Sequence, residues 1–346
     1  MRVSKAGAPV AWTIASLLLT SCGGSTTPST SIAGQQNQSR TIKRGTTSCP
    51  CLYVTNWQGQ SITVYPTGAS GNVQPIQTIA GAATGIDLPY DVALDASDNI
   101  YVTNFDNNSI TIYAAGATGD VAPIGRISGS NTDLLDPEGI GIDPINGNIE
   151  VLSLNGPSGS PSILIFPPGS NGNVAPSEVI EGSKTGLGDP VFLALDASGN
   201  IYDSDVNSYV DVYAAGSTGN VRPMRKIKGG LTKLAIPLGL TLDSSSNLYV
   251  ANNEKSSVTV YAPEANGNVG PIQFIKGGKT KLDDVHDVAV DGSDTIYASN
   301  GAGEPRCTTC SFVAVYASGA TGNAAPVKVI KGRKTGLDGP AGMTIH

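Results

Sequence analysis

The chain runs to 346 residues with a formal net charge of −7, 14% charged residues and 5% aromatics, while glycine (43) and proline (22) are plentiful. Abundant turn formers with few aromatics favour many short strands over long helices. The acidic balance excludes a general nucleic-acid binder, which needs clustered Lys and Arg against phosphates, and two histidines exclude a His-rich metal centre.

Arg2 and Lys5 precede an apolar run from Ala11 to Leu19. That run is too short to span a bilayer, which takes about 20 apolar residues, and has the length of a signal-peptide core. It ends in Leu19-Thr20-Ser21-Cys22, which resembles the lipobox of bacterial lipoproteins. The resemblance implies a signal over 1–21 and a lipidated Cys22, against the alternative of an ordinary signal peptide with a coincidental cysteine. With Gly23 rather than Asp following, it implies the outer membrane in a double-membraned cell. Residues 22–48 are rich in Ser, Thr, Gln and Gly and read as a flexible tether. Residues 49–346 are then expected outside the cytoplasm, in an oxidising compartment, held to the membrane through lipid only.

From residue 52 the chain repeats six times. A pattern of apolar residues closing on an aromatic ends at Tyr65, Tyr113, Phe166, Tyr213, Tyr261 and Tyr316. Ten positions on from each stands a proline: Pro75, Pro123, Pro176, Pro223, Pro271 and Pro326. A Gly-Asn or Gly-Asp turn lies between, as at Gly71-Asn72 and Gly119-Asp120, and an Ile-x-Gly-x-x-Thr block follows, ending at Thr84 and its five counterparts. A period near 50 residues marks a propeller or solenoid.

Each copy reads as four strands. The first is an apolar run such as Val92-Ala93-Leu94, and an Asp-x-Ser-x-Asn turn leads to the second, Ile100-Tyr101-Val102. The third, Ile110 to Tyr113, alternates apolar and polar residues. The fourth is expected to start at the repeated proline, which confines it to the outer edge. The chain enters at a second strand, Leu52-Tyr53-Val54, and ends on a first strand, Pro340 to His346. Joining these gives an all-β, six-bladed β-propeller of four-stranded antiparallel blades, closed by the C-terminal strand pairing with the N-terminal blade.

Pro137 to Asp143, Asn99 to Asn104 and Ser109 to Tyr113 resemble the NHL repeat, and the resemblance covers about 52–346. It implies a binding or scaffolding platform, with a ligand or protein as partner. The alternative is a lactonase- or lyase-like propeller enzyme with a divalent metal at the central channel, although its His and Glu framework is not evident. Where the family often has Asp after the second strand, this chain has Asn56, Asn104, Ser153, Asp205, Asn252 and Asn300. The Asn side chains there are expected to bond their own turns.

Length variation concentrates between strands two and three, on the rim that also carries the fourth-to-first loops, and such insertions mark a binding face. Tyr90, Asp91, Glu138, His286 and Asp287 stand at the channel mouth on that rim, and Asp205, with Asp203, ends the second strand of blade four. These six, Tyr90, Asp91, Glu138, Asp205, His286 and Asp287, are the candidate ligand-binding residues. No catalytic residue, metal ligand or cofactor is assigned, although oxygen donors of this kind accept Ca²⁺.

Charge is uneven. Residues 52–211 hold 18 acids and two bases, residues 212–346 hold 10 acids and 14 bases, and Lys226, Lys228, Lys276, Lys279, Lys281, Lys331, Arg333 and Lys334 cluster after blades four to six. An envelope protein or anionic polymer is the partner such an edge would suit; a solvated face is the simpler reading. Besides Cys22 there are Cys49, Cys51, Cys307 and Cys310, which permit three pairings. Local bridges, Cys307 with Cys310 and Cys49 with Cys51, are favoured because the two pairs are expected on opposite rims.

Overall fold

The structure, a computed structural model, describes residues 50–301 and 310–346. The expected signal over 1–21, the lipidation site Cys22, the tether over 22–48, Cys49 and Cys307 lie outside the described residues.

Each copy of the repeat folds into one four-stranded antiparallel sheet, and the six sheets form a ring. Strands are numbered in chain order. Blade one joins β24 (Pro340–Ile345) to β1 (Cys51–Asn56), β2 (Ser61–Pro66) and β3 (Gln77–Ile79). Blade two is β4 (Pro89–Leu94), β5 (Ile100–Asn104), β6 (Ser109–Tyr113) and β7 (Gly125–Ser128). Blade three is β8 (Pro137–Ile142), β9 (Ile149–Ser153), β10 (Ser162–Phe166) and β11 (Glu178–Glu181). Blade four is β12 (Pro190–Leu195), β13 (Ile201–Asp205), β14 (Tyr209–Tyr213) and β15 (Arg225–Lys228). Blade five is β16 (Pro237–Leu242), β17 (Leu248–Asn252), β18 (Ser257–Tyr261) and β19 (Gln273–Ile275). Blade six is β20 (Val285–Val290), β21 (Ile296–Asn300), β22 (Phe312–Tyr316) and β23 (Lys328–Lys331).

The first hairpin of a blade is set by its aspartate turn. Asp95 Oδ1 accepts hydrogen bonds from the backbone N–H groups of Ser97 (2.8 Å) and Asn99 (3.0 Å), and its Oδ2 accepts from Asn99 Nδ2 (2.8 Å). Asp196 and Asp243 repeat the arrangement. Such side-chain bonds mimic a backbone turn and fix where the strand reverses. The outer strands depart from the expected start: β3, β7, β11, β15, β19 and β23 begin two residues beyond their prolines. Proline has no N–H to donate, so the residue after it makes the first bond, as Ile124 N does to Ile112 O (2.8 Å).

Neighbouring blades are latched by the two motifs that recur between them. The Gly-Asn turn of one blade lies parallel to the outer strand of the blade before it, as in Ile79 with Gly119 and Ile275 with Gly322. Gly71 with Ile330 makes the same bridge from blade six to blade one. At that seam Asn72 Oδ1 accepts the Lys334 N–H (2.8 Å). Gly332, at φ 128°, must be glycine because a Cβ there would stand 2.5 Å from Asn72 Oδ1. The repeated threonine then turns the chain inward: Thr84 Oγ1 donates to Gly81 O (2.7 Å), and the Tyr113 hydroxyl donates to Thr84 O (2.7 Å).

The closure has the expected register. Leu52 pairs with Ile345 and Val54 with Met343, so the final strand is the inner strand of blade one. The core lies between blade faces. At the seam Leu52, Val54 and Tyr65 pack against Val313, Ile330 and Met343, an apolar contact area that resists opening of the ring.

Candidate functional site

Every inner strand carries a β-bulge near its start. A bulge inserts one residue and re-aims the side chains beside it. The third residues of the six inner strands are, in ring order, Gly342, Asp91, Gly139, Phe192, Gly239 and Asp287. A large side chain therefore alternates with glycine. The space is used: a Cβ on Gly239 would stand 1.8 Å from Asp287 Oδ1, and one on Gly342 would stand 2.4 Å from Asp91 Oδ1.

Asp91 and Asp287 are buried and accept one N–H at each oxygen. Asp91 Oδ1 takes Val92 N (2.8 Å) and Oδ2 takes Ile140 N of blade three (3.0 Å). Asp287 Oδ1 takes Val288 N (2.7 Å) and Oδ2 takes Met343 N of blade one (2.5 Å). Burial raises the pKa of both, and the charge of Asp91 raises that of Asp287 further. The pair thus favours retaining a proton near neutral pH. Below them lies a cavity of about 180 Å³ to which each blade contributes, with Ile140, Phe192, Leu240 and Met343 joining the two aspartates.

Above them the mouth is lined by rings from four blades. Tyr90 lies 5.3 Å from Phe192 and 5.7 Å from His286, and Phe192 lies 5.5 Å from His286. Trp57 and Phe105 extend the cluster outward, each ring centroid 5.3 Å from the next along Tyr90–Trp57–Phe105. Phe192 is buried, whereas Trp57, Tyr90, Phe105 and His286 are half-buried. Burial lowers the His286 pKa to about 4, offset only in part by Asp284 and a hydrogen bond to the backbone of Ala341. The imidazole is therefore neutral at pH 7, with its Nδ1 lacking a hydrogen-bond partner.

Glu138 takes the same place in β8 as Tyr90 in β4 and His286 in β20. It is 7% exposed, and its Oε2 has no hydrogen-bond partner. Burial first, then the charges of Asp189 and Asp136, raise its pKa to about 9. It stands at neutral pH as an uncharged carboxylic acid beside Tyr90, whose own pKa is raised by burial and by Glu138, Asp91, Asp287 and Asp189.

Five of the six sequence candidates thus meet at the mouth, in two tiers. Asp205 does not join them. It accepts the N–H groups of Gly188 (3.0 Å) and Asp189 (2.8 Å), both N–H donors of Asn207 (2.8 Å each), and the Tyr209 hydroxyl (2.5 Å). Its two oxygens thus brace the loop between blades three and four and the β13–β14 turn. Asn56, Asn104, Asn252 and Asn300 do likewise in their blades, accepting from Asp338, Asp87, Ala235 and Asp283 N–H groups. Among the described residues no three His, Cys, Asp or Glu side chains gather to hold a metal ion, so a divalent cation at the channel has no assembled donor set there.

Asp203 is fully buried away from the channel, opposite Asp211 in the β13–β14 ladder. Neither of its oxygens has a hydrogen-bond partner. Asp211 is paired with Lys226, whose Nζ lies 2.7 Å from Oδ2 and 3.6 Å above the Tyr209 ring. Of the cysteines, Cys310 is disulfide-bonded and Cys51 is buried at the head of β1. Each expected pairing includes one residue, Cys307 or Cys49, outside the described residues.

Trp57, Phe105 and Phe192 are the mouth residues that a search for charged groups overlooks. Aligning the copies would have exposed two of them, because Trp57 and Phe105 each follow the asparagine that ends a second strand. Phe192 stands where the other blades carry Gly or Asp, a substitution that stands out only once the axis is located.

No protein-family model matches the sequence, and no curated protein is similar to it in sequence. Among solved structures the chain is similar to a protein of unknown function from Bacteroides caccae, at 13% identity and a TM-score of 0.59, covering 86% of this chain and 99% of that one. It is similar to a functionally unknown protein from Desulfotomaculum acetoxidans at 13% identity and a TM-score of 0.54, covering 84% of this chain and 83% of that one. It is also similar to a streptogramin B lyase, at 14% identity and a TM-score of 0.51, covering 84% of this chain and 82% of that one. At these identities the likeness establishes a shared β-propeller fold, with function left to the residues of each site.

Proposed function

We propose that the chain is an extracytoplasmic, lipid-anchored binding module of the NHL-repeat type, whose ligand seats on the aromatic mouth of the channel. One observation carries this reading: half-buried rings from blades one, two and six converge at Trp57, Tyr90, Phe105 and His286, beside a Glu138 oxygen and a His286 nitrogen that lack partners. Aromatic walls with a few unsatisfied polar groups are what a ligand site offers. Lipid on Cys22 and a tether over 22–48 would hold the chain to the membrane, and the partner is an envelope protein or polymer.

Calorimetry of the full chain with purified envelope polymers, with and without Ca²⁺, tests the binding. Tyr90→Ala should weaken it at least tenfold while Asp205→Asn leaves it unchanged; equal binding by Tyr90→Ala would overturn the assignment. For the anchor, Cys22→Ser should move the chain from the membrane fraction to the soluble one.

A further inference from the structure

We propose that the channel mouth binds an organic cation, an ammonium or guanidinium group, on the rings of Trp57, Tyr90 and Phe105 with Glu138 as its counter-charge. This rests on the reading of the mouth as a ligand site and names the class of ligand.

Three half-buried rings form a corner. Trp57 stands at 83° to Tyr90 and 58° to Phe105, while Tyr90 and Phe105 lie 6.3 Å apart with their planes 29° from parallel. The face of each ring carries negative charge density, which attracts a cation within about 6 Å. Acting on Tyr90 from the neighbouring blade is Glu138, nine-tenths buried, with one oxygen lacking a partner. A bonded, solvated carboxylate would gain little from a ligand; this one is short of a partner and gains most from a positive one.

Among the described residues, the charges that act on Tyr90 and Glu138 have the same sign. Asp136 lies on the approach to β8, Asp189 comes from the loop before β12, and Asp91 and Asp287 stand one tier below. Asp284 acts on His286, and that imidazole is neutral, so it adds no positive charge. The groups that act on Tyr90 and Glu138 are, among the described residues, all acids. An anion would meet repulsion here, a neutral ligand would gain nothing from the acidic field, and a cation would gain the Glu138 carboxylate as its counter-charge once the proton leaves. A cation matches the rings, the buried oxygen and the field together.

The proton follows from the same geometry. Empty, the mouth holds Glu138 protonated through burial and its acidic neighbours. A cation seated beside it favours the ionised form, so the ligand enters as a proton leaves. Affinity should therefore rise with pH, up to the range near 9 in which Glu138 ionises on its own.

The test compares choline with 3,3-dimethylbutanol, its neutral isostere, titrated into the full chain at constant ionic strength and pH 6, 7.5 and 9. A Trp12→Phe background leaves Trp57 as the sole tryptophan, read by excitation selective for tryptophan over the tyrosines. Saturable quenching by choline is expected, at least tenfold tighter than by the alcohol at pH 9 and at least fivefold weaker at pH 6. Glu138→Gln should bind weakly with no pH dependence, and Phe105→Leu, which keeps the apolar volume, should lose severalfold in affinity at every pH. Equal binding of choline and the alcohol, or a wild-type affinity flat with pH, overturns the cation assignment while leaving a ligand at the mouth. Binding of neither probe overturns the cation assignment, and envelope-polymer binding then decides separately whether the mouth binds at all.

Discussion

Asp287 in the last complete blade reaches across the seam to accept the N–H of Met343, the residue that pairs with Val54 to close the ring. One side chain thus serves two ends, since the strand that shapes the channel is also the strand that seals the propeller. Removing residues 340–346 strips blade one of its inner strand and exposes the Leu52 and Val54 faces. The expected outcome is loss of a single cooperative transition in urea, read by circular dichroism and tryptophan fluorescence together. Coincident, unshifted transitions in the truncated chain would contradict it.

Glu138 sets a pH dependence whose sign is fixed. Its folded pKa, near 9, lies above the ordinary value of 4.5. The stability it contributes is complete below the unfolded value and is lost as pH rises from about 4.5 through 9. His286 works in the opposite direction. Its folded value, near 4, lies below 6.5, so its contribution is present above 6.5 and is lost as pH falls toward 4. Glu138→Gln should raise the melting temperature by roughly 3 °C or more at pH 8, about 1 kcal/mol for a chain of this size, and leave it unchanged at pH 4.5. Equal shifts at both pH values would show that Glu138 does not titrate as described.

Blade three lacks one latch. Tyr65, Tyr113, Tyr213, Tyr261 and Tyr316 each donate a hydroxyl to the carbonyl of the repeated threonine, whereas Phe166 offers none to Thr132. Phe166→Tyr should stabilise the fold by about 1 kcal/mol, the net contribution of one such hydrogen bond. Tyr113→Phe should cost a similar amount. Both are read from urea midpoints, and a destabilised Phe166→Tyr would mean that the hydroxyl finds no acceptor.

Asp203 occupies a site filled by Val54, Val102, Val151 and Val250 in other blades. Burial first, then Asp211 and Asp205, raises its pKa well above the ordinary value. An unpartnered buried carboxyl costs stability, the more so as pH rises. Asp203→Val should therefore stabilise the chain by about 1 kcal/mol or more at pH 8. A loss of stability would show that the carboxyl has a role in holding Asp211 and Lys226 together.

The ring was legible in the sequence because six copies report the same four strands, and the spare strand at each end of the chain fits only one closure. The outer strands were misplaced by two residues because proline is a conspicuous letter, while the ladder starts at the first N–H able to donate. The site was half legible. Charged residues at strand ends announce themselves, and the structure brings Asp91, Glu138, His286 and Asp287 together at the channel mouth. Asp205 lies apart from the mouth; a strand-end carboxylate that braces a loop looks the same in sequence as one that faces the channel. Trp57, Phe105 and Phe192 were overlooked because half-buried rings at a mouth cannot be told from core rings until the axis is known.

The most direct measurement of the mouth as a binding surface is fluorine NMR of the full chain labelled with 5-fluorotryptophan. One resonance, from Trp57, is expected once residues 1–21 are removed, with a second from Trp12 where they are retained, and Trp57→Phe assigns them. Adding envelope polymer should shift the Trp57 resonance alone, and Tyr90→Ala should abolish that shift. A Trp57 resonance that stays in place while the polymer binds elsewhere would contradict the account.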